Sequence, residues 1–200
     1  MSIGILGGTF NPIHNGHLIL AQEMLNALHF SKVLFIPAKT PPLKNITTSE
    51  EDRYNMVQLA IADNPLFEVS RIELDRSGVS YTIDTIKELK QQIKDDFYFI
   101  IGSDNVLDIT HWHDWKELVS ICNFAIAARP GINANVLDVM KSNLGNELIE
   151  QWQKNFVPIY GLQISSTEIR NRLQNNIPVK YYLPESVIDY IQKHQLYKIH

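Results

Sequence analysis

Two histidines three residues apart, His14 and His17, stand in the stretch GGTFNPIHNGHL, residues 7 to 18, directly after an apolar, strand-like SIGIL. A glycine pair after a strand lets the backbone turn sharply and come close to a ligand without hindrance from Cβ atoms. The helix that follows offers unpaired N–H groups and a partial positive charge, which suits an anion. Neither usual nucleotide fingerprint is present: there is no G-x-x-x-x-G-K-[ST], and Gly4, Gly7 and Gly8 do not space as G-x-G-x-x-G. Residues three apart on a helix share a face, so both imidazoles can reach one cluster of oxygens. Phosphate contact is the favoured reading. Zinc is the competing one, weakened because two histidines alone are a poor metal signature and no third ligand is evident.

Other residues have chemistry and an ordinary alternative. Ser165, Ser166 and Thr167 can donate at a helix start, and Arg170, one turn on, can make a forked phosphate contact. The same run also reads as a plain N-cap with a surface arginine. Lys39 and Lys44 lie in the proline-stiffened PAKTPPLK and can meet phosphate or remain solvated. Trp112 and Trp115 fit core aromatics one turn apart. The flanking His111 and His113 are expected to be positioned by Trp112 rather than to bind metal. Cys122, the sole cysteine, sits in an apolar run and reads as a small buried hydrophobe. Arg53, near a helix start, has no assignable role. No nucleophile–base pair and no G-x-S-x-G elbow is found.

These residues need a frame. The chain has 200 residues, 44% hydrophobic and 20% charged, enough for one domain with a proper core. A net charge of −4 argues against a nucleic-acid binder with a broad basic face. A lone cysteine excludes an intrachain disulfide and fits a reducing compartment. No apolar run approaches the ~18 residues of a membrane span, and the N-terminus lacks a signal-peptide pattern, so a cytoplasmic protein is expected. Short β-branched runs alternate with amphipathic stretches, the pattern of βαβ units and a parallel sheet. Strands are expected at Ser2–Leu6, Lys32–Ile36, Phe67–Ser70, Phe97–Ile101, Asn123–Ala128 and Phe156–Ile159. Helices are expected after Gly16 (with Leu18, Ala21, Leu25 and Leu28 in register), at Glu50–Ala62 behind a Ser49/Asp52 cap, and at Thr82–Lys94. Asn133–Gln153 reads as weakly periodic helix, an insertion or lid. SSTEIRNRLQ and LPESVIDYIQKH close the chain as two helices. One domain over residues 1–200 is expected, with a C-terminal helical part from about residue 165.

The opening stretch resembles the signature of the HxGH nucleotidyltransferase superfamily, and ISSTEIR resembles its second signature. Together with PAKTPPLK, SGVSYTIDTI, IGSDNVLDITHWHDWKEL, RPG at residues 129–131 and the closing YLPESVIDYIQKHQLY, the likeness extends to bacterial nicotinate mononucleotide adenylyltransferases. The resemblance implies an α/β, Rossmann-like doubly wound parallel sheet with flanking helices, acting on ATP and nicotinate mononucleotide with Mg²⁺. It implies that His14 and His17 meet the triphosphate, that the backbone of Gly7, Gly8, Thr9 and Phe10 lies against the nucleotides, and that Ser165, Ser166, Thr167, Arg170 and Arg129 contact phosphate. Thr82 and Thr85 would mark the helix start that receives the nicotinate carboxylate. Asp104 would position a ribose or nucleotide, and Trp112, beside His113, would stack on the pyridine ring; Lys44 would contact phosphate. The chain departs from the common pattern at Leu43, where a histidine usually stands. Phosphopantetheine adenylyltransferases share the opening but are typically shorter and lack the SYTIDT and THWHDW pair. Class I aminoacyl-tRNA synthetases share the histidine motif, without the anticodon-binding parts being present here. A nucleotide-sensing module without turnover would keep the pocket but not need every charged group. Oligomeric state, monomer or homodimer, is not legible.

Overall fold

A computed structural model describes residues 1–42, 46–128, 141–142, 144–159 and 163–198. Six strands, β1 (Ser2–Gly8), β2 (Lys32–Pro37), β3 (Phe67–Val69), β4 (Asp96–Gly102), β5 (Asn123–Ala128) and β6 (Phe156–Pro158), form one parallel sheet in the order β3-β2-β1-β4-β5-β6. All six lie where the β-branched runs predict them, within two residues at either end. The order reverses at β1, and loops at the carboxyl end of such a strand are where α/β sheets bind ligands. The helices are α1 (Asn15–Ala27), α2 (Glu50–Ile61), α3 (Thr82–Gln92), α4 (Ser103–Leu107), α5 (Trp115–Ile121), α6 (Asn146–Gln153), α7 (Ser166–Gln174) and α8 (Glu185–Lys193).

The chain packs as two compact units. The first comprises Met1–Leu6, Leu20–Val33 and the described part of Tyr81–Gly161. Its β4 and β5 pair in register from Tyr98↔Asn123 to Gly102↔Ala127, and the four central residues of β5 are buried. Such near-continuous apolar strands mark a sheet covered on both faces. Gly4 is required on β1, since a Cβ there would stand 2.7 Å from the ring of Phe30. The expected lid over residues 133–153 lies partly outside the described residues. Its described end, α6, is core rather than lid: Trp152, 1% exposed, packs on Phe124 with ring centroids 4.8 Å apart. Cys122 is buried and its thiol is pushed up to about 12 by that burial, as an inert packing residue requires.

The second unit comprises Gly7–Ile19, Leu34–Ser80 and the described part of Leu162–His200. Helix α2 starts as expected, with Ser49 Oγ accepting from the Asp52 N–H at 3.0 Å. Its buried stripe runs Arg53, Met56, Val57, Ala60 and Ile61, the spacing of one helical face. The C-terminal helices are tied into this unit: Ser186 Oγ donates to the Leu59 carbonyl, and the Tyr190 hydroxyl donates to Asp52. Helix α1 begins in this unit and continues into the first, to which its buried residues Ala21, Met24 and Leu25 belong. Leu18 and Leu28 are only half-buried, and Leu28 lies beyond the last helical residue, Ala27. Among the described residues no helix is long and apolar enough to cross a membrane.

Trp152→Ala should cost about 3–5 kcal/mol of unfolding free energy, as large aromatic truncations in cores do. Chemical denaturation of the variant beside Trp152→Phe checks it; a loss below 1 kcal/mol would return α6 to the role of a loose insertion.

Candidate active site

In the second unit, the stretch after β1 folds tightly around its aromatic residues. Phe10 has φ 46° and its ring turns back over Gly8, where a Cβ would meet it at 2.9 Å. Gly8 is therefore a packing requirement. The Phe10 ring then meets His17 edge-on, with centroids 5.1 Å apart at 79°. His17 and His14 stack at 3.7 Å and 22°. Gly16 makes room for this, since a Cβ there would press on His14 Nδ1 at 3.0 Å.

The two imidazoles differ. The His14 backbone N–H donates to His17 Nδ1 at 3.2 Å, which assigns the His17 proton to Nε2 and makes that nitrogen a donor. His14 is 6% exposed, and its Nδ1 has no hydrogen-bond partner among the described residues. Burial pulls its pKa down to about 4, opposed by its own backbone carbonyl. His14 is thus neutral at pH 7, with an orphaned polar nitrogen.

The start of α7 reaches the same turn. Ser166 Oγ donates to the Pro12 carbonyl at 2.8 Å, and Arg170 Nη1 to the Asn11 carbonyl at 2.8 Å. Arg170 Nη2 donates to Thr167 Oγ1 at 3.2 Å, and Ser165 Oγ accepts from the Glu168 N–H at 3.1 Å. The N-cap reading therefore holds for Ser165. Ser166 and Arg170 hold the Asn11–Pro12 turn, a use that residue types alone do not reveal. The N–H groups of Ser166 and Thr167 keep no partner within the helix, the usual state of a first turn. The first amide of α1 is committed elsewhere: the Asn15 N–H donates to the Tyr182 carbonyl at 2.9 Å. Lys39 departs from expectation too. Its ammonium donates to the carbonyls of Leu74 and Arg76, at 2.8 and 3.1 Å, and so ties a loop instead of facing phosphate.

The first unit holds the other group of candidates. Helix α3 begins at Thr82 behind Tyr81, which supplies no side-chain cap, so the early N–H groups carry the helix's positive end. Thr85 is 1% exposed, and both its N–H and its hydroxyl donate to the Tyr81 carbonyl at 3.3 Å. Thr82 is half-buried; of the two threonines, it is the one whose surroundings leave its side chain partly accessible. Trp112 is also half-buried, edge-on to Phe99 at 6.3 Å and 89°. His113 stacks on Tyr81 at 4.1 Å and lies 3.3 Å from Asp114. Asp104 is exposed on α4, next to the buried Ser103. Lys44 and Arg129, with Leu43, lie outside the described residues.

Sequence reasoning left Arg53 without a role, and the structure bonds it to the carbonyls of Thr9, in the loop after β1, and of Ala38 and Lys39, in the loop after β2. The signal was its place in the 53, 56, 57, 60, 61 stripe, where a charge on an apolar face must have a buried partner.

The cytidylyltransferase-like family model matches residues 5–172. A probable nicotinate-nucleotide adenylyltransferase of Thermoanaerobacter sp. is 46% identical over 99% of this chain and 95% of its own length. One from Moorella thermoacetica is 43% identical over 98% of this chain and 91% of its own. Among solved structures, the nicotinic acid mononucleotide adenylyltransferase of Plasmodium falciparum complexed with NaAD superposes with a TM-score of 0.79, at 26% identity over 98% of this chain and 97% of its own. The same enzyme complexed with APC gives 0.76 at 25% identity over 98% of this chain and 96% of its own. A fold, a paired-histidine loop and full-length similarity agree: the chain belongs to the cytidylyltransferase-like family and, within it, to the nicotinate-nucleotide adenylyltransferases, a group of nucleotidyltransferases.

Proposed function

We propose that the chain transfers the adenylyl group of ATP to nicotinate mononucleotide, giving deamido-NAD and pyrophosphate in NAD biosynthesis, by direct in-line attack without a covalent intermediate. The observation that carries this reading is the stacked His14–His17 pair beside donors at the start of α7. The attacking group is a phosphate monoester whose second pKa is about 6, so it is largely ionised at neutral pH and needs no general base. What remains is to hold two polyanions in line and to meet the charge that passes to pyrophosphate.

In this reading the His17 Nε2–H donates to a triphosphate oxygen in the transition state. His14 Nδ1, buried and unpartnered, gains a partner when ATP binds. The amides of Ser166 and Thr167, the free donors of Arg170, and Lys44 and Arg129 complete the phosphate contacts. The backbone of Gly7, Gly8, Thr9 and Phe10 lies against the nucleotides. The helix start at Thr82 takes the nicotinate carboxylate. Trp112 stacks on the pyridinium ring, a flat cation suited to an indole face, with His113 beside it. Asp104 accepts from a ribose hydroxyl. Among the described residues no three His, Cys, Asp or Glu side chains converge as metal ligands. The ion expected with ATP is carried by substrate oxygens and water, and no step is assigned to it.

Pyrophosphate release with ATP and Mg²⁺, comparing nicotinate with nicotinamide mononucleotide, tests the proposal. Preference for the acid is expected. Equal use would remove the carboxylate reading of α3, and no release with either would overturn the function and direct the assay to phosphopantetheine. His17→Ala should lower kcat at least about 100-fold with substrate binding little changed, the cost of losing one transition-state donor. Trp112→Ala should instead raise the mononucleotide KM about 10-fold, as loss of one stacking partner does. Unchanged turnover in His17→Ala would contradict the assigned role.

His14 also gives a pH prediction. Its folded pKa, about 4, lies below the 6.5 of an unperturbed histidine. Between these values the unfolded chain binds more protons, so this contribution to stability is complete above pH 6.5 and is lost as pH falls through 4. NMR titration of the free protein should find the His14 midpoint near 4 and find it raised when ATP is bound. A midpoint near 6.5 in the free protein would show that the ring is not buried as described.

A further inference from the structure

Arg53 is a charged residue on the core stripe of α2, 1% exposed, with all its described hydrogen bonds going to backbone carbonyls. Nη1 donates to the Thr9 carbonyl at 2.8 Å and to the Ala38 carbonyl at 2.6 Å, while Nη2 donates to the Lys39 carbonyl at 3.1 Å. Thr9 belongs to the loop after β1, and Ala38 and Lys39 to the loop after β2. One planar fork therefore bridges two loops that the chain connects only through α1 and β2. A second tie comes from Ser80: its Oγ accepts from the N–H groups of Lys39 and Thr40, at 3.0 and 3.2 Å.

A trans peptide holds its C=O and N–H in opposite directions. Drawing the Thr9 carbonyl toward Arg53 thus turns the Phe10 N–H away from it, and the guanidinium keeps its positive charge beneath the loop. Burial opposes that charge and Glu50, Tyr197 and Glu73 support it. A desolvated cation with no carboxylate bonded to it is an expensive element if its only task is packing; a Leu or Met would fill the stripe more cheaply.

We infer that Arg53 is a positioning residue for adenylyl transfer: by tying the loop after β1 to the Ser80-held loop after β2, it fixes the Thr9–Phe10 peptide plane in the orientation that receives the phosphates. This rests on the function proposed above. A shift of a reacting group by about 1 Å costs on the order of 100-fold in rate, so loops held by three bonds are worth that constraint.

The test is Arg53→Lys, which keeps the charge but replaces the planar fork by a single nitrogen, assayed below its own melting midpoint. Loss of scaffold alone would lower the folded fraction and leave the KM for ATP of the folded enzyme unchanged. The inference predicts a KM for ATP raised several-fold and a kcat/KM per folded molecule lowered about 30-fold. A KM and kcat/KM within twofold of wild type overturn it. If Arg53→Lys does not fold, Ser80→Ala, which releases the Lys39 and Thr40 amides from the other side, should raise the KM for ATP in the same sense, and no change overturns the inference. If wild-type protein releases no pyrophosphate, the function fails separately. The loop control is then read by hydrogen exchange, where the Lys39 and Thr40 amides, bonded to Ser80 Oγ, must exchange faster in Arg53→Lys or Ser80→Ala than in wild type; equal rates overturn the inference whatever the activity.

Discussion

Two imidazoles stacked at 3.7 Å can carry one positive charge comfortably but not two. At an effective dielectric constant of 20, a pair of unit charges at that separation repels by roughly 4 kcal/mol. Burial resolves this on one side: His14 is held neutral, and His17 is half-buried and bonded through Nδ1 to the His14 amide. Everything local serves that stack. Gly16 leaves the space for the His14 ring, Phe10 meets His17 at its edge, and Gly8 leaves the space for Phe10. Gly8 and Gly16 are thus placed by the packing of these rings.

The same loops share an electrostatic arrangement. The carbonyls of Thr9, Ala38 and Lys39 accept from Arg53, that of Asn11 from Arg170, and that of Pro12 from Ser166. Oxygens that would repel a polyanion are each drawn to a donor on the protein side. Peptide geometry then turns the Phe10 and Ile13 N–H groups the other way, while Pro12 has none and those of Lys39 and Thr40 are held by Ser80 Oγ. In the proposed function, such N–H groups are the ones that would meet an anion, which suits a chain of net charge −4.

The strands, the Ser49 cap and the histidine pair were legible because they depend on local pattern: alternation of apolar runs, a cap residue before a helix, and a fixed offset of three. What was not legible depends on partners far along the chain. Lys39, Ser166 and Arg170 have the donors that phosphate needs, and backbone carbonyls need the same donors; residue type cannot say which is served. Thr85 reads as a helix-start hydroxyl and is in fact buried with its hydroxyl on the carbonyl four residues back. Trp152 lay in a weakly periodic stretch whose core contact, Phe124, is set by the sheet register rather than by helix pattern. Arg53 was visible as an anomaly and uninterpretable until its acceptors were known.

The central claim is that this protein positions and stabilises charge, with no covalent step. Stereochemistry at the transferred phosphorus tests it most directly. With ATP made chiral at the α-phosphorus by one sulfur substitution, a single in-line displacement inverts configuration in the dinucleotide product. The account predicts inversion. Retention would demand two displacements through a covalent adenylyl-enzyme, and the site would then have to contain a nucleophile that this description does not assign.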